Sequence, residues 1–130
     1  MTARFDALGI VVSDMDKSLA FYELLGLTAP DRDAFEGHVE LPLARGLRLM
    51  LDTVDVVKSF SEWEAPSGGH RMGLAFLCAS PEEVDQQHAL IVTDGHRSHV
   101  DPFDAPWGQR YATVLDPDGT PVDLFAPLAE

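Results

Sequence analysis

A strand, a helix and three more strands, followed by the same order again, predict a single α+β domain built from two βαβββ modules. Two helices carry clear start and stop signals, apolar residues alternate with period two in several segments, and turn-forming clusters separate those segments. The length of 130 residues suits one domain, and 45% hydrophobic residues supply a substantial core.

In the first module Leu8, Ile10 and Val12 share one strand face, opposite Ala7, Gly9 and Val11. A helix is predicted over residues 15–25. Ser13 or Asp14 caps it, because a side-chain oxygen there accepts amide hydrogens that the first turn leaves free. Met15, Leu19, Tyr22 and Leu25 recur at helical spacing, and Gly26 closes the helix. A weak strand signal covers residues 28–35. Val39, Leu41 and Leu43 then alternate into Ala44-Arg45-Gly46, a turn back into a strand where Leu47, Leu49 and Leu51 oppose Arg48, Met50 and Asp52. This module takes residues 4–53. A linker over 54–69 holds a short helical piece at 54–60 and a break at Pro66-Ser67-Gly68-Gly69.

The second module takes residues 70–130. Met72, Leu74, Phe76 and Cys78 share a face opposite Gly73, Ala75 and Leu77. Ser80-Pro81-Glu82-Glu83 starts a helix with a cap, a proline where no amide is needed and an acid three residues on. Val84, His88 and Ile91 continue one face, and Gly95 is the stop. Strands follow over 97–101 and 109–115. Asp116-Pro117-Asp118-Gly119 then turns into a last strand where Val122 and Leu124 oppose Pro121, Asp123 and Phe125. In each strand pair of faces, the first-named set is expected under a helix. The second set is smaller or more polar and can line a cavity.

Nine Lys and Arg against 22 Asp and Glu leave a net charge of −13. A field of that sign repels phosphate backbones and argues against nucleic acid. It would favour a cationic ligand, although solubility or tolerance of salt is the plainer reading. No apolar run approaches the ~20 residues of a membrane span, and no signal peptide opens the chain, so a cytoplasmic protein is expected. The lone Cys78 excludes an internal disulfide and a cysteine-rich zinc site.

Leu8-Gly9-Ile10-Val11-Val12-Ser13-Asp14-Met15-Asp16-Lys17-Ser18, with Phe21-Tyr22 and Leu25-Gly26-Leu27 after it, resembles the opening module of the vicinal oxygen chelate superfamily. That group holds glyoxalase I, extradiol dioxygenases, fosfomycin-resistance transferases and bleomycin-resistance proteins. Trp107-Gly108-Gln109-Arg110, then Asp116-Pro117-Asp118-Gly119 and Val122-Asp123-Leu124-Phe125, resembles its closing hairpin. The resemblance spans nearly the whole chain. It implies a curled mixed sheet around a cleft, commonly in a homodimer, and leaves function open because the fold hosts many chemistries.

The resemblance also implies where a divalent metal would be held, by inward His and Glu side chains of both modules. Those positions fall here on Ala7, Met50, Gly73 and Asp123, of which only Asp123 carries a donor. One carboxylate does not hold Zn²⁺, Fe²⁺ or Mn²⁺, so no metal and no cofactor is expected. His96, His99 and Asp101 have the donor types of a non-haem iron site, but in an extended strand His96 and His99 point to opposite faces, and a polar edge strand would look the same. Cys78 shares the helix-facing parity of a buried, inert thiol. No nucleophile elbow and no phosphate-binding glycine loop is present, so no catalytic residue is assigned.

The residues that could bind a ligand form a fuller set. Small Ala7, Gly9, Gly73 and Ala75 leave space. Phe60 and Trp63 from the linker, Phe103 and Trp107 from the loop before the final hairpin, and Tyr111 offer broad faces. Glu40, Asp52 and Asp123, with Glu62 or Glu64, could answer a cation, and His38 is expected across the hairpin from Asp52. Ordinary packing accounts for either tryptophan alone as well as ligand contact does. The expectation is a metal-free, dimeric, bleomycin-resistance-like protein that sequesters a planar or cationic small molecule. The alternative is a divergent glyoxalase- or dioxygenase-like enzyme, its metal rearranged or its proton transfer done by His38 or Asp123.

Overall fold

The computed structural model describes residues 2–30 and 36–128, and the chain in it divides into two units, residues 1–65 and 66–130. The first contains β1 (Ala7–Val12), α1 (Met15–Leu24), β2 (His38–Pro42), β3 (Arg48–Thr53) and the short α2 (Val54–Lys58). Its mixed sheet has the order β1-β3-β2, with β1 parallel and β2 antiparallel to β3. Asp14 caps α1 by accepting from the Lys17 amide at 3.1 Å. Beyond its last turn, Gly26 at φ +91 lets the chain curl back so that the Leu27 amide reaches the Tyr22 carbonyl at 3.2 Å. Leu19, Phe21 and Tyr22 of the helix are buried with Val12, Val39, Leu41, Leu49 and Leu51 of the strands, and Phe21 meets Tyr22 edge-on at 5.0 Å between ring centres. These strand residues lie on the rows that alternation placed under a helix, while Leu8, Ile10, Leu43 and Leu47 of the same rows are only half-buried.

The second unit holds a complete βαβββ order: β4 (Leu74–Leu77), α3 (Pro81–Thr93), β5 (Arg97–Ala105), β6 (Gln109–Leu115) and β7 (Pro121–Pro127). Its sheet runs β4-β7-β6-β5, with β4 and β7 parallel and the other neighbours antiparallel. Ser80 caps α3 by accepting from the Glu83 amide at 3.2 Å, and the Glu83 carboxylate accepts from the Ala79 amide at 3.1 Å. Val84 and Ile91 of α3 are buried with Ala112, Val114, Val122, Leu124 and Ala126. The β6–β7 turn is knotted by Asp116, whose buried carboxylate accepts from the Asp118 and Thr120 amides, each at 2.9 Å.

Three expectations change. Thr28, Ala29 and Pro30 form no strand, and the rest of the weak 28–35 signal lies outside the described residues. Met72 does not join a buried row, because β4 starts only at Leu74 and the Met72 side chain is 64% exposed. The strand expected over 97–101 continues to Ala105, which moves Phe103 out of the loop and into β5. Pro102 does not stop it because β5 is an edge strand, and the register shifts between Ser98 and Phe103 take up the missing amide. The linker helix forms over Val54–Lys58, capped by the Thr53 hydroxyl, and packs on β3 and β1. Among the described residues no helix is long and apolar enough to cross a membrane.

Candidate functional site

In each sheet the rows opposite the buried ones carry the polar and aromatic chemistry. In the first unit they run Val11–Asp52–His38, Gly9–Met50–Glu40 and Ala7–Arg48–Pro42 across the paired strands. His38 lies between two carboxylates, its Nδ1 2.5 Å from Asp52 and its Nε2 2.9 Å from Glu40. Arg48 extends the chain of charges, 2.7 Å from Glu40 and 2.5 Å from Asp6. The hydrogen bond to Glu40, then that to Asp52, holds the His38 imidazole above its ordinary value of 6.5 against a smaller opposing effect of burial. In turn His38, followed by Arg48, holds the Glu40 carboxyl below the usual range. Because the two ring nitrogens sit on opposite edges of the imidazole, the carboxylates they meet do not converge on a common point.

The second unit presents Ala75–Asp123–Thr113 and, one row along, Leu77–Phe125–Tyr111–Phe103. Asp123 accepts from the Tyr111 hydroxyl at one oxygen and from the Thr113 hydroxyl at the other, the latter at 2.7 Å. Burial first, then Asp123, pushes the Tyr111 phenol up to about 12, so it stays a neutral donor. Tyr111, Phe103 and Trp107 meet edge to face, with ring centres 5.4 Å apart for Trp107 and Tyr111, 6.1 Å for Phe103 and Trp107, and 6.3 Å for Phe103 and Tyr111. Trp107 sits in the β5–β6 turn, 59% exposed, its indole N–H donating to the Gln109 side-chain oxygen at 2.9 Å.

Among the residues expected to form a site, His38, Glu40 and Asp52 are thus joined in the first unit, with Met50 beside Glu40 and Ala7 beside Arg48. Phe60 is exposed and Trp63 half-buried in the segment after α2. Phe103, Trp107, Tyr111 and Asp123 are joined in the second unit. Gly73 has a reason of its own to be small: a Cβ there would lie 3.1 Å from the Pro121 carbonyl oxygen. Sequence reasoning missed Thr113, Gln109 and Arg48. Thr113 was within reach, since the Asp116–Gly119 turn sets a register that puts it opposite Asp123.

Two other groupings resolve differently. His96 stands 3.5 Å from Asp94, while Asp101 accepts from Ser98 at 2.5 Å, and that serine oxygen lies 2.8 Å from His88. The serine hydroxyl donates its hydrogen bond to the carboxylate and not to the imidazole, unlike the serine of a nucleophile relay. Cys78 is buried, and burial raises its thiol, with Glu83 adding to the effect.

The implied metal does not fit these residues. Ala7, Met50 and Gly73 offer no donor, and both Asp123 oxygens are engaged by hydroxyls. Among the described residues no group of three or more His, Cys, Asp or Glu side chains is arranged to hold an ion.

Among solved structures, a glyoxalase/bleomycin resistance protein/dioxygenase from Nocardioides aligns at 26% identity and TM-score 0.76, over 98% of this chain and 85% of that one. A family enzyme from Burkholderia phytofirmans aligns at 19% identity and TM-score 0.82, over 97% and 100% of the two chains. A hypothetical protein from S. aureus does so at 19% and 0.82, over 97% and 95%. The latter two bear on the fold alone. No curated protein matches. Residues 4–124 match the sequence model of the Glyoxalase/Bleomycin resistance protein/Dioxygenase superfamily, and the chain belongs to that superfamily.

Proposed function

We propose that this protein binds a planar or cationic small organic molecule and sequesters it without changing it. The observation that carries this reading is the Phe103–Trp107–Tyr111 cluster beside the Asp123 carboxylate, with Trp107 open to solvent. Exposed aromatic faces next to fixed negative charge suit an organic cation better than a polar metabolite. The net charge of −13 adds attraction for such a ligand and none for nucleic acid. A thermal-shift screen of planar and cationic compounds tests it. A true ligand at about 100 times its Kd should add roughly 2.7 kcal/mol of stability, and mass spectrometry should recover it unaltered. Turnover of an α-keto or thiohemiacetal substrate, with no stabilisation by any compound, would overturn it.

The enzyme alternative has one observation in its favour, the His38–Asp52 pair at 2.5 Å. Yet both ring nitrogens are engaged by carboxylates, which leaves neither open to take a proton from a substrate. Metal content separates the readings: the protein purified without a histidine tag should hold only substoichiometric zinc, iron, manganese or nickel. We also infer a two-fold homodimer burying more than about 1,000 Å², since Met72 and Leu77 are apolar side chains left 64% and 68% exposed. A monomer by light scattering at micromolar concentration would exclude it.

A further inference from the structure

We infer that Phe103, Trp107 and Tyr111 form a cage for an alkylated ammonium group, with Asp123 as its counter-charge. This rests on the binding reading above and names the ligand class for the same face.

The angles between the rings decide the class. Phe103 and Trp107 are inclined at 87°, Trp107 and Tyr111 at 83°, and Phe103 and Tyr111 at 75°. A flat ligand is gripped between parallel faces, and no two of these rings are parallel. Three mutually perpendicular faces suit a compact, nearly spherical cation instead. Turned toward one corner, as the cage requires, rings with centres 5.4 to 6.3 Å apart leave a point about 4 Å from each face, inside the ~6 Å reach of a cation–π contact.

The hydrogen bonds of Asp123 favour the same choice. A primary ammonium or a guanidinium binds a carboxylate through directed N–H bonds to its oxygens. Here the Tyr111 and Thr113 hydroxyls each take one acceptor position, one on either oxygen. What remains is a fixed charge with about half of its directed positions open. A quaternary ammonium has no N–H to donate and asks only for charge and ring faces. The trio is also held in place. The Gln109 side chain fixes the tilt of the Trp107 indole, and the neutral Tyr111 hydroxyl ties its ring to Asp123.

The test titrates the full chain with tetramethylammonium, choline and 3,3-dimethylbutanol, the neutral isostere of choline, alongside a flat aromatic cation. Proton NMR and tryptophan fluorescence are the readouts. Choline should bind at least about tenfold tighter than its isostere, and its N-methyl signal should move upfield under the ring currents. Trp107→Ala and Phe103→Ala should each weaken choline about tenfold or more. Tyr111→Phe, which keeps the ring but loses its tie to Asp123, should weaken choline less than Trp107→Ala does. Gln109→Leu frees the indole without touching the core, so its weaker binding would support the cage even where an aromatic variant misfolds. Equal affinity for choline and the isostere overturns the cage. Binding of the flat cation with no response to quaternary ions at about 10 mM overturns the cage and leaves the small-molecule reading standing. Silence from the whole compound panel removes both.

Discussion

His38 stands directly across the β2–β3 pair from Asp52, its Nδ1 2.5 Å from the carboxylate. Its other nitrogen meets Glu40 at 2.9 Å, and only the imidazolium can donate at both edges at once. The folded state therefore binds this proton more tightly than the unfolded chain does, consistent with a value raised above 6.5. The stability that follows is fully present below about pH 6.5 and is lost as pH climbs through the folded value.

The stability gap between the protein and His38→Gln should thus be widest below about pH 6.5 and should close as pH climbs through the raised folded value. Because the pair is partly exposed, about 1 kcal/mol or less is expected. Urea denaturation at several pH values above 5 measures it. A gap that stays constant with pH would show that the ring does not titrate in this range.

That pair was legible in the sequence because the short Ala44–Gly46 turn fixes which residues of β2 and β3 face each other. The helices were legible for a similar local reason: Asp14, Ser80 and Gly26 act on backbone groups within a few residues of themselves. Less was legible where long-range geometry decides. Tyr111 reaches Asp123 diagonally from an adjacent row, so neither the twelve-residue separation nor the alternation of side chains marks the contact. Phe103 joins the cluster only because β5 runs on through Pro102, against the usual sense of a proline. The smallness of Gly73 reads as free space in a sequence, whereas the nearby Pro121 carbonyl gives it a steric cause.

The glycines at 9 and 73 should separate cleanly. A Cβ at Gly73 would crowd the Pro121 backbone oxygen at 3.1 Å, and backbone cannot swing aside, so Gly73→Ala should cost about 1–3 kcal/mol. At Gly9 the nearest atom is the flexible Met50 methyl at 4.0 Å. Gly9→Ala should therefore be neutral, or stabilising by about 0.5–1 kcal/mol through the lost freedom of the unfolded chain. Thermal unfolding of both variants checks the contrast, and equal losses would refute the steric account.

Ser18 is fully buried on α1, and its hydroxyl oxygen finds no hydrogen-bond partner among the described residues. Ser18→Ala removes an unsatisfied polar atom and brings in a better helix former, so it should stabilise by roughly 1 kcal/mol. Chemical denaturation reads the change directly. A loss of stability would mean that the hydroxyl is satisfied in solution.

Tyr111 and Asp123 allow a test in which two causes pull apart. The phenol is pushed up to about 12 mainly by burial and secondarily by the neighbouring carboxylate. Asp123→Asn removes the negative charge and the charged acceptor but leaves the burial. The Tyr111 titration, followed by tyrosinate absorbance, should therefore move down from about 12 without reaching the ordinary 10. Tyr22 also absorbs, so Tyr111→Phe supplies the curve to subtract. In Thr113→Val the carboxylate keeps its charge and its bond to Tyr111 and loses only the second hydroxyl. That variant should lower stability by about 1–2 kcal/mol while the phenol stays high, since neither cause of the Tyr111 shift has been removed. An unmoved titration in Asp123→Asn would show that the carboxylate does not act on the phenol, and would weaken its assignment as the fixed charge beside the rings.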